Sequence, residues 1–89
     1  MLRQSDLASG HELHLAEYVV IRGEQAQRPT YRYQLLTVDK KPLARWDNAP
    51  HHQEFSTFPF HRHTTADLVR PSREMSPADA IAESLALIE

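Results

Sequence analysis

The chain has 89 residues, 10 of them Lys or Arg and 12 Asp or Glu, for a formal net charge of -2. That balance excludes a uniformly basic nucleic-acid binder but leaves room for a local basic patch. The absence of cysteine excludes disulfide staples, thiolate-bound zinc and thiol catalysis. With 40% hydrophobic and 25% charged residues the composition is that of a single small globular domain, one short enough to gain from a partner. No apolar run reaches the length of a membrane span, and Met1–Asp6 has no apolar stretch of the signal-peptide kind. A soluble cytoplasmic protein without membrane contact is expected.

Residues 1–10 read as a flexible arm that ends in a Ser9-Gly10 turn. From His11 to Arg22 the residues alternate as in a strand. Leu13, Leu15, Val19 and Ile21 fall on one face, and His14, Ala16, Tyr18 and Val20 on the other. Glu17 lies on the apolar face and needs an Arg or Tyr from a neighbouring strand. Residues 23–29 read as a polar loop. Thr30–Asp39 is a second strand, with Tyr31, Tyr33 and Leu35 on one side, and a turn at residues 39–42 makes it a hairpin with a third strand, Leu43–Asn48. In that third strand Leu43, Arg45 and Asp47 share a side.

Pro50 turns the chain away from regular structure. Residues 58–63 are extended again, as an edge strand or one that begins after Pro59, which has no N–H to donate. Residues 64–73 fit either an extension of that strand or a short helix. Ser76 as N-cap, Pro77 at the first helical position and Asp79 in the first turn open a helix over residues 76–88. Its apolar stripe is Ile81, Leu85 and Ile88. The expected fold is α+β: an antiparallel sheet of about four strands over residues 11–63, with the C-terminal helix packed on one face.

Chemistry concentrates in the middle of the chain. Four of the six histidines lie between His51 and His63, and eight of the ten basic residues are Arg, the residue suited to forked recognition of phosphate or carboxylate. His61 and His63, two apart on a strand, point to one face with Cα atoms about 6.6 Å apart. Two imidazoles so placed can serve as acid and base in phosphodiester cleavage, since their ordinary pKa of about 6.5 suits proton transfer near neutrality. Metal-free RNA cleavage also needs a cation for the phosphorane, from Arg45, Arg62 or Arg32. Arg62, between the two histidines, points to the opposite face, so Arg45 is the first choice.

Other readings of the same residues stand beside this one. His61 and His63 also fit a solvated edge-strand face. With Asp47, His51 and His52 they offer enough N and O donors for zinc or a similar ion. Tyr31, Tyr33 and Trp46 suit base stacking or the sheet core, and core is favoured for Trp46. Asp47-Asn48 reads as a turn former, with Asp47 able to orient a His. Arg70 and Arg73 read as a solvated loop.

The order of motifs carries a resemblance. Tyr31-Arg32-Tyr33, then Trp46-Asp47-Asn48 with the insert Asn48-Ala49-Pro50-His51-His52, then Thr57-Phe58-Pro59 and His61-Arg62-His63 resemble the TumE-type proteins of bacterial and archaeal toxin–antitoxin pairs, over about Glu17 to Ile88. Only 16 residues precede Glu17, a short lead-in for that family, so an N-terminal strand or helix is expected to be short or missing. The resemblance implies a toxin that pairs with a cognate DNA-binding antitoxin. Toxins of similar size and build are often ribonucleases of the RelE-like kind, which makes RNA the implied substrate. The combined expectation is a metal-independent ribonuclease without cofactor. Its catalytic residues are His61, His63 and Arg45, its substrate contacts Tyr31, Tyr33 and Arg62, and its supporting residues Asp47, Asn48, His51 and His52. A non-enzymatic sheet that binds an antitoxin through an open edge, a His-rich metal-binding protein, and a homodimer are the competing expectations.

Overall fold

The computed structural model describes residues 2–6, 9–19, 21–26, 30–49, 54, 56–65 and 68–88. Six strands form one antiparallel sheet: β1 (Leu2–Asp6), β2 (Glu12–Tyr18), β5 (Thr30–Leu36), β6 (Pro42–Asp47), β7 (His61–His63) and β8 (Val69–Pro71), in the order β1-β2-β5-β6-β7-β8. The strands follow one another as a meander. A separate two-stranded ribbon, β3 (Ile21–Arg22) with β4 (Gln25–Ala26), leaves it between β2 and β5. One helix, α1 (Pro77–Ile88), follows β8.

Alternation along the strands divides the sheet into two unlike faces. Leu13 and Leu15 of β2, Tyr31, Tyr33 and Leu35 of β5, and Ala44 and Trp46 of β6 are buried together with Met75 and with Ala80 of α1. This is the helix side. Glu17 joins it at the β2 end and accepts a hydrogen bond from the Tyr33 hydroxyl at 2.6 Å, the partner its place on an apolar face demands. Tyr31 stacks on Tyr33 with ring centroids 4.7 Å apart, and its hydroxyl accepts the Met75 N–H at 3.1 Å, tying the approach to α1 onto the sheet. The other face, carrying His14, Ala16, Tyr18, Arg32, Gln34, Arg45 and Asp47, has no helix upon it among the described residues.

α1 begins as its sequence dictates. The Ser76 hydroxyl accepts the Asp79 N–H at 3.1 Å and the Asp79 carboxylate accepts the Ser76 N–H at 3.0 Å, a reciprocal cap. Its buried line is Ala80 and Ser84, flanked by Ile81 and Ile88, so Leu85 of the expected stripe stands exposed. Small residues thus form the part of α1 that is buried against β2 and β5.

Several expectations are corrected. Within the arm expected over residues 1–10, Leu2–Asp6 pairs with β2 as an edge strand. That strand is also the N-terminal element expected to be short or missing. The loop expected over 23–29 contains β4. Val19 and Ile21, expected on the buried face, are exposed because the chain leaves the sheet after Tyr18. Leu43, expected beside Arg45, packs against the core instead. A register shift in the β5–β6 pair, where Leu35 opposes Ala44 but Leu36 opposes Pro42, inserts one extra residue and turns Leu43 over. The strand with the histidines begins after Pro59 and is not an edge, because β8 flanks it on the far side.

Candidate functional site

β6 and β7 pair with Arg45 opposite His63 and Asp47 opposite His61, so four chemically active side chains share the open face. A tight turn sets the start of β7: the Phe60 N–H donates to the Thr57 carbonyl at 2.9 Å, and the Thr57 hydroxyl donates to the Phe60 carbonyl at 3.0 Å. His61 follows at once and is 2% exposed. Its Nδ1 lies 2.9 Å from the Pro59 carbonyl oxygen and its Nε2 lies 2.6 Å from Asp47 Oδ1. A carbonyl oxygen thus faces one ring nitrogen and a carboxylate oxygen the other, so the ring is held from both ends.

Asp47 closes β6 and organises the site. Oδ1 accepts from His61 and also from the Ala49 N–H at 3.1 Å. Oδ2 accepts from Arg45 Nε at 3.1 Å and lies 3.3 Å from His63 Nε2. The turn-forming and His-orienting roles read from the sequence thus fall to the same carboxylate. His63, with its side chain 21% exposed, has Nε2 2.8 Å from Arg45 Nη2. A guanidinium can only donate, so in this contact Nε2 accepts and carries the lone pair; protonated, the same nitrogen would donate to Asp47. The two rings sit 5.1 Å apart, edge to face. The site opens into a cavity of about 330 Å³ whose lining includes Tyr18, Arg32, Arg45, Asp47, His61 and His63.

Against models of protein families, residues 3–89 match the family described as Toxin TumE. The chain belongs to the TumE toxin family. No curated protein and no solved structure matches it. Membership makes this TumE-family chain the toxin component of a toxin–antitoxin pair, with an antitoxin as partner. No helix among the described residues is long and apolar enough to cross a membrane.

In this TumE-family sheet the expected cation, Arg45, does meet His63. Of the expected substrate residues only Tyr31 borders the same cavity, and its ring is turned away from it. Tyr31 and Tyr33 are 5% and 2% exposed on the helix side, stacked on each other, so neither ring has a face for a base. Arg62 projects to the opposite side of β7, beside Leu43, Thr65 and Leu87. Asn48 is buried and accepts the Tyr31 N–H at 2.8 Å, which fastens β5 to the end of β6. His51 and His52 lie outside the described residues. What the sequence reading did not single out is Tyr18, 62% exposed at the mouth of the cavity. Its place on the same strand face as His14 and Ala16 was the available signal.

Asp47, His61 and His63 also offer one ligand atom each within 4.8 Å of one another, a carboxylate and two imidazoles of the kind a divalent cation takes. The fit is poor, because the Arg45 guanidinium lies against His63 Nε2 and Asp47 Oδ2, where it would repel a cation.

Proposed function

We propose that the toxin cleaves RNA without a metal, using His63 and Arg45 on the open face of the sheet, with Asp47 and His61 holding them in place. The observation that carries this reading is the 2.8 Å contact between Arg45 Nη2 and His63 Nε2, with Asp47 Oδ2 within reach of both. It presents an imidazole lone pair and a cation in one place, beside a cavity open to solvent.

The chemistry follows from the competition at His63 Nε2. Neutral, the ring accepts from Arg45. When it takes the proton of a ribose 2′-hydroxyl, it can no longer accept; it donates to Asp47, and Arg45 is released toward the adjacent phosphate. The 2′-oxygen bonds to phosphorus, and the guanidinium stabilises the phosphorane charge. The 5′-oxygen leaves with a proton from water, giving a 2′,3′-cyclic phosphate and a 5′-hydroxyl. The hydroxide left behind is neutralised by the proton on His63. His61, expected as half of an acid–base pair, is buried with an oxygen acceptor at each nitrogen; its part is to position Asp47.

The test is incubation of the purified, untagged chain with single-stranded RNA, with the ends of the products identified. Cyclic phosphate ends that persist in chelator and vanish in His63→Ala and Arg45→Ala are expected. A His63→Ala protein as active as the parent would overturn the assignment. Loss of cleavage in chelator would favour the cation reading of Asp47, His61 and His63. We further infer that the partner is a DNA-binding antitoxin; a small helix-turn-helix reading frame beside this one would support that.

A further inference from the structure

The open face extends well beyond His63. Arg32 of β5 stands opposite Asp47 on one side and opposite Ala16 on the other, and Tyr18 lies two residues further along β2. Both side chains are exposed. They line the cavity at His63 and also a second one of about 330 Å³, whose other walls are His14, Ala16 and Gln34. The two cavities therefore meet at Tyr18 and Arg32, as a trough across β6, β5 and β2. Their backbones pair in the sheet, but among the described residues neither side chain is used to hold it together. Among the described residues the Arg32 side chain has no hydrogen-bond or ion-pair partner and the Tyr18 side chain no ring or hydrogen-bond partner. An exposed ring beside a free guanidinium is the combination that holds a nucleobase and its phosphate, since every base has a face to stack and every nucleotide a charge to neutralise. Arg32 and Arg45 flank the single carboxylate of Asp47, so the trough floor favours an anion.

We propose that Tyr18 and Arg32 form a nucleotide subsite next to the reacting phosphate: Tyr18 stacks the base of a flanking nucleotide of single-stranded RNA, and Arg32 binds a phosphate of the same strand. The proposal rests on the ribonuclease reading for its substrate. It adds where the strand lies, across the strands of the sheet, and which side chain sets the choice of cleavage position.

Binding is measured by fluorescence anisotropy with a labelled 2′-O-methyl RNA oligonucleotide, which lacks the attacking hydroxyl. Tyr18→Ala is expected to weaken binding about 5- to 150-fold, and Tyr18→Phe by less than about 2-fold, because the ring and not the hydroxyl makes the contact. Arg32→Ala is expected to lower the slope of log affinity against log salt by about 0.7, the loss of one phosphate contact on a single strand, while Arg32→Lys keeps the slope. An abasic position scanned along the oligonucleotide should, at one place, weaken binding to the parent but not to Tyr18→Ala. Tyr18→Ala binding as tightly as the parent, or an abasic effect that adds fully to the substitution at every position, overturns the subsite and leaves this face to a protein partner. Tyr18-dependent binding without cleavage of unmodified RNA upholds the subsite and overturns the ribonuclease reading. Cleavage that Tyr18→Ala leaves undiminished does the reverse. A parent protein that neither binds nor cleaves overturns both.

Discussion

Asp47 and His61 meet across the β6–β7 pair, Oδ1 to Nε2 at 2.6 Å, in a place that leaves both side chains with under a tenth of their surface exposed. A polar contact this sheltered is costly to break from one side, because the group left behind loses its partner without regaining water. Asp47→Ala is therefore expected to destabilise the fold by about 3 kcal/mol in urea unfolding. A loss below about 1 kcal/mol would mean that the pair is not sheltered in solution.

The two histidines should separate cleanly. His63→Ala removes a partly exposed ring and is expected to change stability by less than about 1 kcal/mol while lowering RNA cleavage about 10²- to 10⁴-fold. His61→Ala is expected to cost about 2–3 kcal/mol, since it leaves a part-buried carbonyl and a buried carboxylate short of a donor. Unfolding curves and initial cleavage rates on both variants give the comparison. Equal stability losses would contradict the burial difference.

Tyr33→Phe deletes the hydroxyl that donates to Glu17 at 2.6 Å and leaves the ring stack intact. The expected cost is about 1–2 kcal/mol. Tyr33→Phe with Glu17→Gln should cost less than the sum of the two single changes, and full additivity in the double-mutant cycle would show that the contact carries no coupling.

The α1 cap gives an acid-sensitive contribution. The Ser76 N–H foremost, then Arg73 and the Ser76 hydroxyl, hold the Asp79 carboxyl below its ordinary range. A carboxyl with a depressed folded-state pKa stabilises the fold fully above the unfolded value, and this is lost as pH falls from about 4 through the folded value. Asp79→Asn, which cannot ionise, is expected to be less stable than the parent at neutral pH. The gap between the variant and the parent should narrow below about pH 4, followed by circular dichroism in denaturant. A gap constant down to pH 2 would remove the carboxyl from the account.

Local pattern made much of this legible. The buried set Leu13, Leu15, Tyr31, Tyr33 and Leu35 follows from period-two alternation, the Ser76 cap from residue type, and the shared face of His61 and His63 from their spacing. What stayed hidden depends on pairing between distant segments. Nothing near Leu43 marks the extra residue that turns it toward the helix; the register between β5 and β6 does that. The polar alternation of Leu2–Asp6 forms a strand because β2 offers it an edge. Ile81 and Ile88 only flank the buried line of α1, which Ala80 and Ser84 form, so residue size misled the reading of its stripe. Of the candidate site, the shared face of the two histidines was legible from their spacing, but only the register opposes Arg45 to His63, and only the structure shows Tyr31 and Tyr33 buried and Tyr18 exposed.

Because the strands follow one another in chain order, Arg45 and Asp47 are synthesised before either histidine that faces them. A nascent polypeptide that stops short of His61 carries Arg45 and Asp47 and neither imidazole of the β6–β7 pair. On the ribonuclease reading proposed above, fragments released by interrupted synthesis lack the base, and the proposed site is complete only once β7 has left the ribosome and docked on β6.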